Sequence, residues 1–413
     1  MYILIGKCEF ILRHKKLTFF MFSVGTMVAT RSFKLVLLLL CSLTFLLAES
    51  APNQQKDTYN YDEYFVEKTI LKNAVSKGAV CLDGSPPAYY MDRGFEEGAQ
   101  SWMIHLSGGG WCRDVRECQN RSTTPFGSSK HMPPFKFRGH DFSNNKNANP
   151  DLFNWNKVMV AYCDGVAFTG DVETVDPATN LYFRGARIFS AVMEDLLAKG
   201  LKDDKNALLI GSSAGAYPAM LYCDRFSKLL PNTPRIKCLT DSGYFIDVNK
   251  NLQKGKGFET IYKALVTLHG SAKALPKSCT SRMKPELCFF PQNMQQYIKT
   301  PLYTIMSPFD IVQVGTSLGD YYNAIKQNNC SANQKKNLRE LRMELLSKLP
   351  NASDTKSRGA FIVSQFHHTR LQNYWKPQNV SVVNNVTMIK AFGDWYFDRQ
   401  YYYLIHKHDL PIP

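Results

Sequence analysis

"NALLIGSSAGAYPAM", residues 206–220, decides how this chain is read. Asn206 to Ile210 is an apolar run of strand length, Gly211-Ser212-Ser213-Ala214-Gly215 is a small-residue turn, and Ala216 to Lys228 places apolar residues at helical spacing. Strand, sharp turn and helix are the setting of the G-x-S-x-G elbow, which would stand Ser213 at the carboxyl end of a strand. The outer glycines suit a turn so tight that a Cβ at either place would meet neighbouring chain. A plain strand-to-helix turn has the same local pattern, so the reading depends on what the other strands carry.

Strand-like runs occur at Ser101–Leu106, Lys157–Tyr162, Ala207–Ile210, Ile236–Leu239, Leu302–Met306 and Ala360–Val363, with helical stretches between several of them, as at Gly185–Ala198 and Asn337–Leu349. Alternating strands and helices argue for an α/β fold with a mostly parallel central sheet flanked by helices. In such sheets ligands gather beyond the carboxyl ends of the strands. The segments in those places read "SGGGWC", "CDG", the elbow, "TDSGYF", "SPFD" and "SQFHH", which bring Ser, Asp and His to one rim.

A serine hydroxyl becomes a nucleophile only when an imidazole takes its proton and a carboxylate orients that imidazole. Asp310 and His368 follow Ser213 in the chain order Ser, acid, His, each just past a strand. Asp241 fits the same order and is a rival acid; His367 is the rival base. Asp310 is preferred because the acid usually follows a later strand. A tetrahedral oxyanion also needs preorganised N–H donors, from the residue after the nucleophile and from a glycine-rich loop after an early strand. Ala214 fits the first and Gly108-Gly109-Gly110-Trp111 the second. Together these features point to a serine hydrolase.

At 413 residues the chain can bury a large core, and no repeat or low-complexity linker divides it. Arg31 and Lys34 precede an apolar run from Leu35 to Ala48, then Glu49 and Ser50. That is the layout of a signal peptide with an extended leading region, residues 1–50, which leaves 51–413 as a single domain; an uncleaved signal anchor is the alternative. The run is short for a membrane span, and none is expected after cleavage. Sequons at Asn120, Asn329, Asn351, Asn379 and Asn385 agree with secretion. Nine of the eleven cysteines lie beyond residue 50, so several are expected to pair and at least one to stay free. Cys112 with Cys118 and Cys279 with Cys288 are the sequence-nearest candidates. No C-x-x-C or H-x-x-x-H pair occurs, and neither a metal nor a cofactor is implied.

Residues 1–50 hold six basic and two acidic side chains of a net +15, leaving +11 downstream. A basic secreted protein is drawn to polyanions such as acidic polysaccharides. Nucleic acid is not favoured, because the basic residues are scattered and no nucleic-acid-binding motif appears. A charge spread evenly for solubility is the plainer alternative.

Long stretches from about Val80 to Arg399, "CLDGSPPAYY", "GGGWC", "NPDLFNWNKVMVAYCDG", "FTGDVETVDPATNLYFRGARI", "GSSAGAYPAMLYCD", "TLHGSAKALPKSCTSR", "CFFPQ" and "GDWYFDR", carry a family resemblance. Through them the chain resembles the plant pectin acetylesterases and, more distantly, the Notum-type carboxylesterases. The resemblance implies an α/β-hydrolase-like fold, a secreted cell-wall location, and release of acetate from acetylated galacturonan. It also implies a nucleophile at Ser213, an acid at Asp310, a base at His368, and oxyanion donors at Gly110, Trp111 and Ala214. The family pattern is altered at several places: Ser212 and Ala216 stand in "GCSAGG", Ser107 replaces a Glu, Ile311 and Val312 remove an aromatic from "DSWQ", and Gln365 and Thr369 replace two cysteines around the base. These changes imply a tighter pocket floor at Ala216, a lost aromatic wall at Val312, and a missing or rearranged bridge beside His368. Two other readings stay open: a Notum-like esterase removing fatty acyl groups from protein, which needs a deep apolar pocket, and a wall protein that binds pectin without turnover.

Overall fold

The computed structural model describes residues 7–12, 15–20, 64–137, 141–371 and 382–413. It divides into two units, Met1–Asp57 and Thr58–Pro413. In the first, Lys7–Leu12 pairs antiparallel with Lys15–Phe20. The expected leader run, Leu35 to Ala48, lies outside the described residues.

The second unit is built on a nine-stranded sheet. In chain order its strands are β1 (Lys68–Ile70), β2 (Ala88–Asp92), β3 (Ser101–Leu106), β4 (Asn156–Val160), β5 (Asn206–Ser212), β6 (Arg235–Asp241), β7 (Leu302–Met306), β8 (Arg358–Ile362) and β9 (Tyr403–Ile405). Across the sheet they run β9-β8-β7-β6-β5-β3-β4-β2-β1. The first seven in that order are parallel, and β2 and β1 join antiparallel at one edge. Strands β3, β4 and β7 are buried along their whole length, and β5 everywhere but its first residue. Burial on both faces explains why they read as continuous apolar runs rather than alternating ones. This is the mostly parallel sheet the sequence leads one to expect. The chain reverses order between β4 and β3, so β5 sits mid-sheet with β3 on one side and β6 on the other.

The helices α1 (Val115–Ser122), α2 (Gly185–Ala198), α3 (Ala216–Leu221), α4 (Cys223–Leu229), α5 (Phe258–His269), α6 (Ile311–Leu318), α7 (Ala332–Lys348) and α8 (Met388–Tyr396) flank the sheet. α2 has the bounds its periodicity indicates, with Ile188, Phe189, Val192, Met193 and Leu196 buried along one stripe. Two local expectations change. The helix after the elbow is broken at Tyr222, whose ring stacks on Phe189 and whose hydroxyl donates to Phe168 O (2.7 Å), while Cys223 is bonded to Cys238 of β6. The helix read at 337–349 starts earlier, at Ala332, because Ser331 and Gln334 form a reciprocal capping box.

Among the described residues four disulfides form, Cys81–Cys163, Cys112–Cys118, Cys223–Cys238 and Cys279–Cys288, and Cys330 is free. The two sequence-nearest bridges are among them, as is the unpaired thiol that an odd count requires. Asn120, Asn329, Asn351 and Asn385 are exposed, whereas Asn379 lies outside the described residues. Among the described residues no helix is long and apolar enough to cross a membrane.

Candidate active site

Ser213 sits immediately after β5 with φ +56°, a left-handed backbone that costs a residue with a side chain on the order of 1–2 kcal/mol. The turn has no room for alternatives at its flanks. A Cβ on Gly211 would lie 1.9 Å from Gly215 O, and one on Gly215 would lie 2.1 Å from Leu106 O. This is a true elbow rather than a relaxed strand-to-helix turn, and the strain holds the Ser213 hydroxyl out at the strand end.

Two loops converge beside that hydroxyl. Asp310 caps the N-terminus of α6, accepting Val312 N–H at 2.8 Å, in the segment after β7. His368 comes from the segment after β8. Its Nε2 is 2.7 Å from Ser213 Oγ, and its Nδ1 is 2.8 Å from Asp310 Oδ2 and 3.0 Å from Oδ1. Asp310 is buried; the His368 side chain is 24% exposed, open to whatever reaches Ser213. Burial disfavours the charged ring, but the Asp310 carboxylate, by charge and hydrogen bond, and the charge of Asp241 together offset it and hold His368 above its ordinary pKa. Such a chain can deprotonate a hydroxyl and store the resulting positive charge.

Asp241, the rival acid, is not beside His368's ring. It pairs in register with Ser212 across β6 and β5, which turns its side chain to the same sheet face as Ser212 and away from Ser213. Its carboxylate accepts Arg370 N–H (3.0 and 2.8 Å) and Leu371 N–H (2.9 Å), and the neighbouring Ser242 hydroxyl reaches His368 O at 2.9 Å. Asp241 thus anchors the loop that carries His368. His367, the rival base, is half-buried, and burial together with the nearby Arg370 keeps its pKa low.

Sequence reasoning gave no role to a second constellation beside the first. Ser212 Oγ lies 3.0 Å from His105 Nε2, and His105 Nδ1 lies 2.8 Å from Asp141 Oδ2, all three residues buried. His105 pairs with Ile210, two residues before Ser212, so parity puts both on one face. The only sequence signal was a histidine inside an otherwise apolar strand, which by itself names no partner.

Gly108 approaches so closely that a Cβ there would lie 2.7 Å from Ser213 Cβ. Gly109, Gly110, Trp111, Ser213 and His368 line a cavity of about 700 Å³ whose remaining walls are largely apolar, including Tyr90, Met132, Phe135, Met159 and Phe245. Val312 stands in that wall. Ala216 does not: it is fully buried, packed where a Cβ on Gly243 would meet it at 2.3 Å, so the expected tightening of the pocket floor is not found. Ser107 binds Val160 O through its hydroxyl at 2.8 Å. Gln365, at a position where the resemblance leads one to expect a cysteine, is held through its carbonyl by the Ser307 hydroxyl at 2.7 Å.

Cys112, Cys118 and His269 also cluster, with His269 Nε2 3.9 Å from each sulfur. The two sulfurs are bonded to each other, and burial lowers the His269 pKa to about 4, so this is a packed neutral ring against a disulfide rather than a metal ligand set.

Known proteins resemble this chain over most of its length. The pectinacetylesterase family model matches residues 59–413. Pectin acetylesterase 7 of Arabidopsis thaliana is 44% identical over 357 residues, 84% of this chain and 90% of its own length. Pectin acetylesterase 11 of the same plant is 43% identical over 343 residues, 80% and 87% respectively. The palmitoleoyl-protein carboxylesterase notum1a of Danio rerio is 30% identical over 275 residues, 63% of this chain and 52% of its own. Among solved structures, the Wnt deacylase Notum from Drosophila superposes with a TM-score of 0.71 at 24% identity, over 84% of this chain and 98% of that one, a likeness of fold.

Proposed function

The chain belongs to the pectinacetylesterase family and is a carboxylic ester hydrolase, and on that premise we propose that it releases acetate from acetylated pectin by serine catalysis. The observation that carries the proposal is the hydrogen-bonded line Ser213–His368–Asp310 opening on the cavity. In this mechanism Ser213 Oγ attacks the acetyl carbonyl while His368 Nε2 takes its proton. Asp310 stabilises the imidazolium, and the N–H groups of Ala214, Gly110 and Trp111 receive the oxyanion. Collapse of the tetrahedral intermediate breaks the ester bond, and the imidazolium returns its proton to the departing sugar oxygen. Water, deprotonated by His368, then attacks the acetyl-serine; as the acyl–oxygen bond breaks the imidazolium returns that proton to Ser213 Oγ, and acetate leaves. No step calls for a metal or cofactor.

The proposal extends to the protein's setting: residues 1–50 as a removable leader, 51–413 as the mature domain, glycans on its exposed sequons, and the cell wall as its place of action. The downstream charge of +11 suits a polyanionic substrate. Acetate release from acetylated pectin by the purified secreted protein is the direct test. KM for pectin should rise with salt while kcat holds, and hydrolysis of a small neutral ester should stay level, because screening weakens only the polyanion's attraction. Binding of pectin with no acetate released would make this a binding protein.

A second reading is favoured by the size of the cavity. At about 30 Å³ per water-sized group, an acetyl fills on the order of a tenth of it. A longer apolar acyl group, of the kind named for the palmitoleoyl-protein carboxylesterases, would bury far more of its wall. Rates on a series of esters from acetate to hexadecanoate decide between the two: a fall after two to four carbons supports the acetylesterase, and a rise toward long chains supports the alternative.

A further inference from the structure

The glycine loop is held by two side chains that, among the described hydrogen bonds and ring contacts, make none to Ser213 or His368. Gly109 O accepts a hydrogen bond from Arg121 Nη2 at 2.8 Å, and Gly110 O accepts one from the Tyr162 hydroxyl at 2.6 Å. A trans peptide points its C=O and the next residue's N–H in opposite directions, and no cis bond occurs among the described residues. Fixing Gly109 O therefore fixes Gly110 N–H, and fixing Gly110 O fixes Trp111 N–H. Among the described hydrogen bonds neither of these N–H groups reaches a protein acceptor. Gly110, at φ +67°, sits in a region where a side chain would resist this arrangement.

We propose that Arg121 and Tyr162 are positioning residues that pull the two carbonyls outward and so aim the Gly110 and Trp111 N–H groups at the oxyanion. The inference rests on the oxyanion role given to these two N–H groups above.

Both anchors are themselves over-determined. The Arg121 guanidinium lies between the rings of Phe126 and Tyr162, 5.2 and 4.8 Å from their centroids, and its Nε donates to Phe126 O at 3.1 Å. It stands in the last turn of α1, and the Cys112–Cys118 bond ties that helix to the residue after Trp111. The Tyr162 hydroxyl accepts Ala167 N–H at 3.1 Å, which leaves its own proton for Gly110 O. Burial pushes this phenol far above its ordinary pKa, so it remains a donor wherever the enzyme works. Without these anchors the peptides at Gly109 and Gly110, flexible as glycines are, can rotate and present a carbonyl to the developing negative charge.

The test compares Tyr162→Phe, Arg121→Met and Arg121→Lys with the wild type on p-nitrophenyl acetate and on a trifluoromethyl ketone, which adds to Ser213 to give a tetrahedral oxyanion. Losing a donor from such a hole costs about 100- to 1,000-fold, and loosening one should cost about 10- to 100-fold in kcat with KM nearly constant. Affinity for the ketone should fall by the same factor as kcat/KM. Arg121→Lys, which keeps one donor for Gly109 O, should recover part of what Arg121→Met loses. A crystal structure of the wild-type ketone adduct separates the two layers of the argument. If its oxygen is not met by Gly110 and Trp111 N–H, the oxyanion assignment is wrong. If it is met there and the variants keep both kcat and ketone affinity while only their melting temperature falls, the side chains are structural and the positioning proposal is overturned. Should Tyr162→Phe fail to fold, the Arg121 pair decides alone.

Discussion

Two adjacent serines in this protein each lean on a histidine that leans on an aspartate, and the distances hardly differ. Ser213–His368–Asp310 measures 2.7 and 2.8 Å; Ser212–His105–Asp141 measures 3.0 and 2.8 Å. What separates them is everything around those distances. The first set ends at a strained turn, with φ +56° at its serine and a histidine open to the cavity. The second is sealed: Ser212 closes β5 in extended backbone at φ −119°, and the side chains of His105 and Asp141 are 0% and 2% exposed. Ser212 Oγ is also engaged on its far side, 3.3 Å from Asp241 Oδ2. A hydrogen-bonded Ser–His–Asp line is thus not by itself a nucleophile. On the proposed mechanism, the difference is access for a carbonyl carbon and donors for its oxygen.

Exchanging the two serines for alanine gives the sharpest break. Ser213→Ala should lower turnover of a phenyl ester by about a millionfold with folding intact. Ser212→Ala should leave kcat within about tenfold and instead cost about 1–3 kcal/mol in urea unfolding, because His105 and Asp241 lose a buried partner. Interchanged phenotypes would mean that the wrong serine has been assigned.

The aspartates come next. Asp310→Asn should cost about ten-thousandfold in kcat, through the wrong imidazole tautomer and lost charge stabilisation. Asp141→Asn should show its loss in the melting temperature and not in kcat. Asp241→Asn should fall between them, since Asp241 accepts the Arg370 and Leu371 N–H groups of the base-bearing loop. An Asp241 variant slower than the Asp310 variant would move the acid to Asp241.

Titration gives a smaller effect. His368 must be neutral to take the serine proton, so kcat/KM should fall as pH drops, with an apparent pKa above the ordinary histidine value near 6.5. In Asp310→Asn the limb should shift to lower pH. Because the folded-state pKa is raised, the His368–Asp310 pair contributes stability that is complete below about 6.5 and lost as pH rises through the folded value, readable as a declining melting temperature. The smallest effect is that of His367→Ala, which should change kcat by no more than about threefold; a loss comparable to that of His368→Ala would exchange their roles.

Much of this was legible along the chain. β3, β7 and α2 have the bounds their runs suggest, because a strand buried on both faces and an amphipathic helix each write their period into neighbouring residues. The edge strands β1 and β9, three residues each, write almost nothing and were not read. Neither was β2. Cys112–Cys118 and Cys279–Cys288 close short loops and could be named; Cys81–Cys163 spans 82 residues, and spacing could not name it.

The kinds of groups on the rim and their order are written along the chain: a small-residue turn with two serines, a glycine loop, aspartates and histidines after strands. Local chemistry suffices there, since a turn without room for Cβ atoms demands glycine, and a strand end is where a loop begins. Which aspartate stands with which serine depends on the assembled sheet. Asp241 and Asp310 look alike in sequence, each following a strand. Register sets β6 against β5 so that Asp241 shares a face with Ser212, while Asp310, beyond the end of the next strand over, is free to reach the histidine that meets Ser213. Side chains alternate faces with every residue, so a one-residue difference in pairing exchanges the partners, and pairing is a property of the assembled sheet.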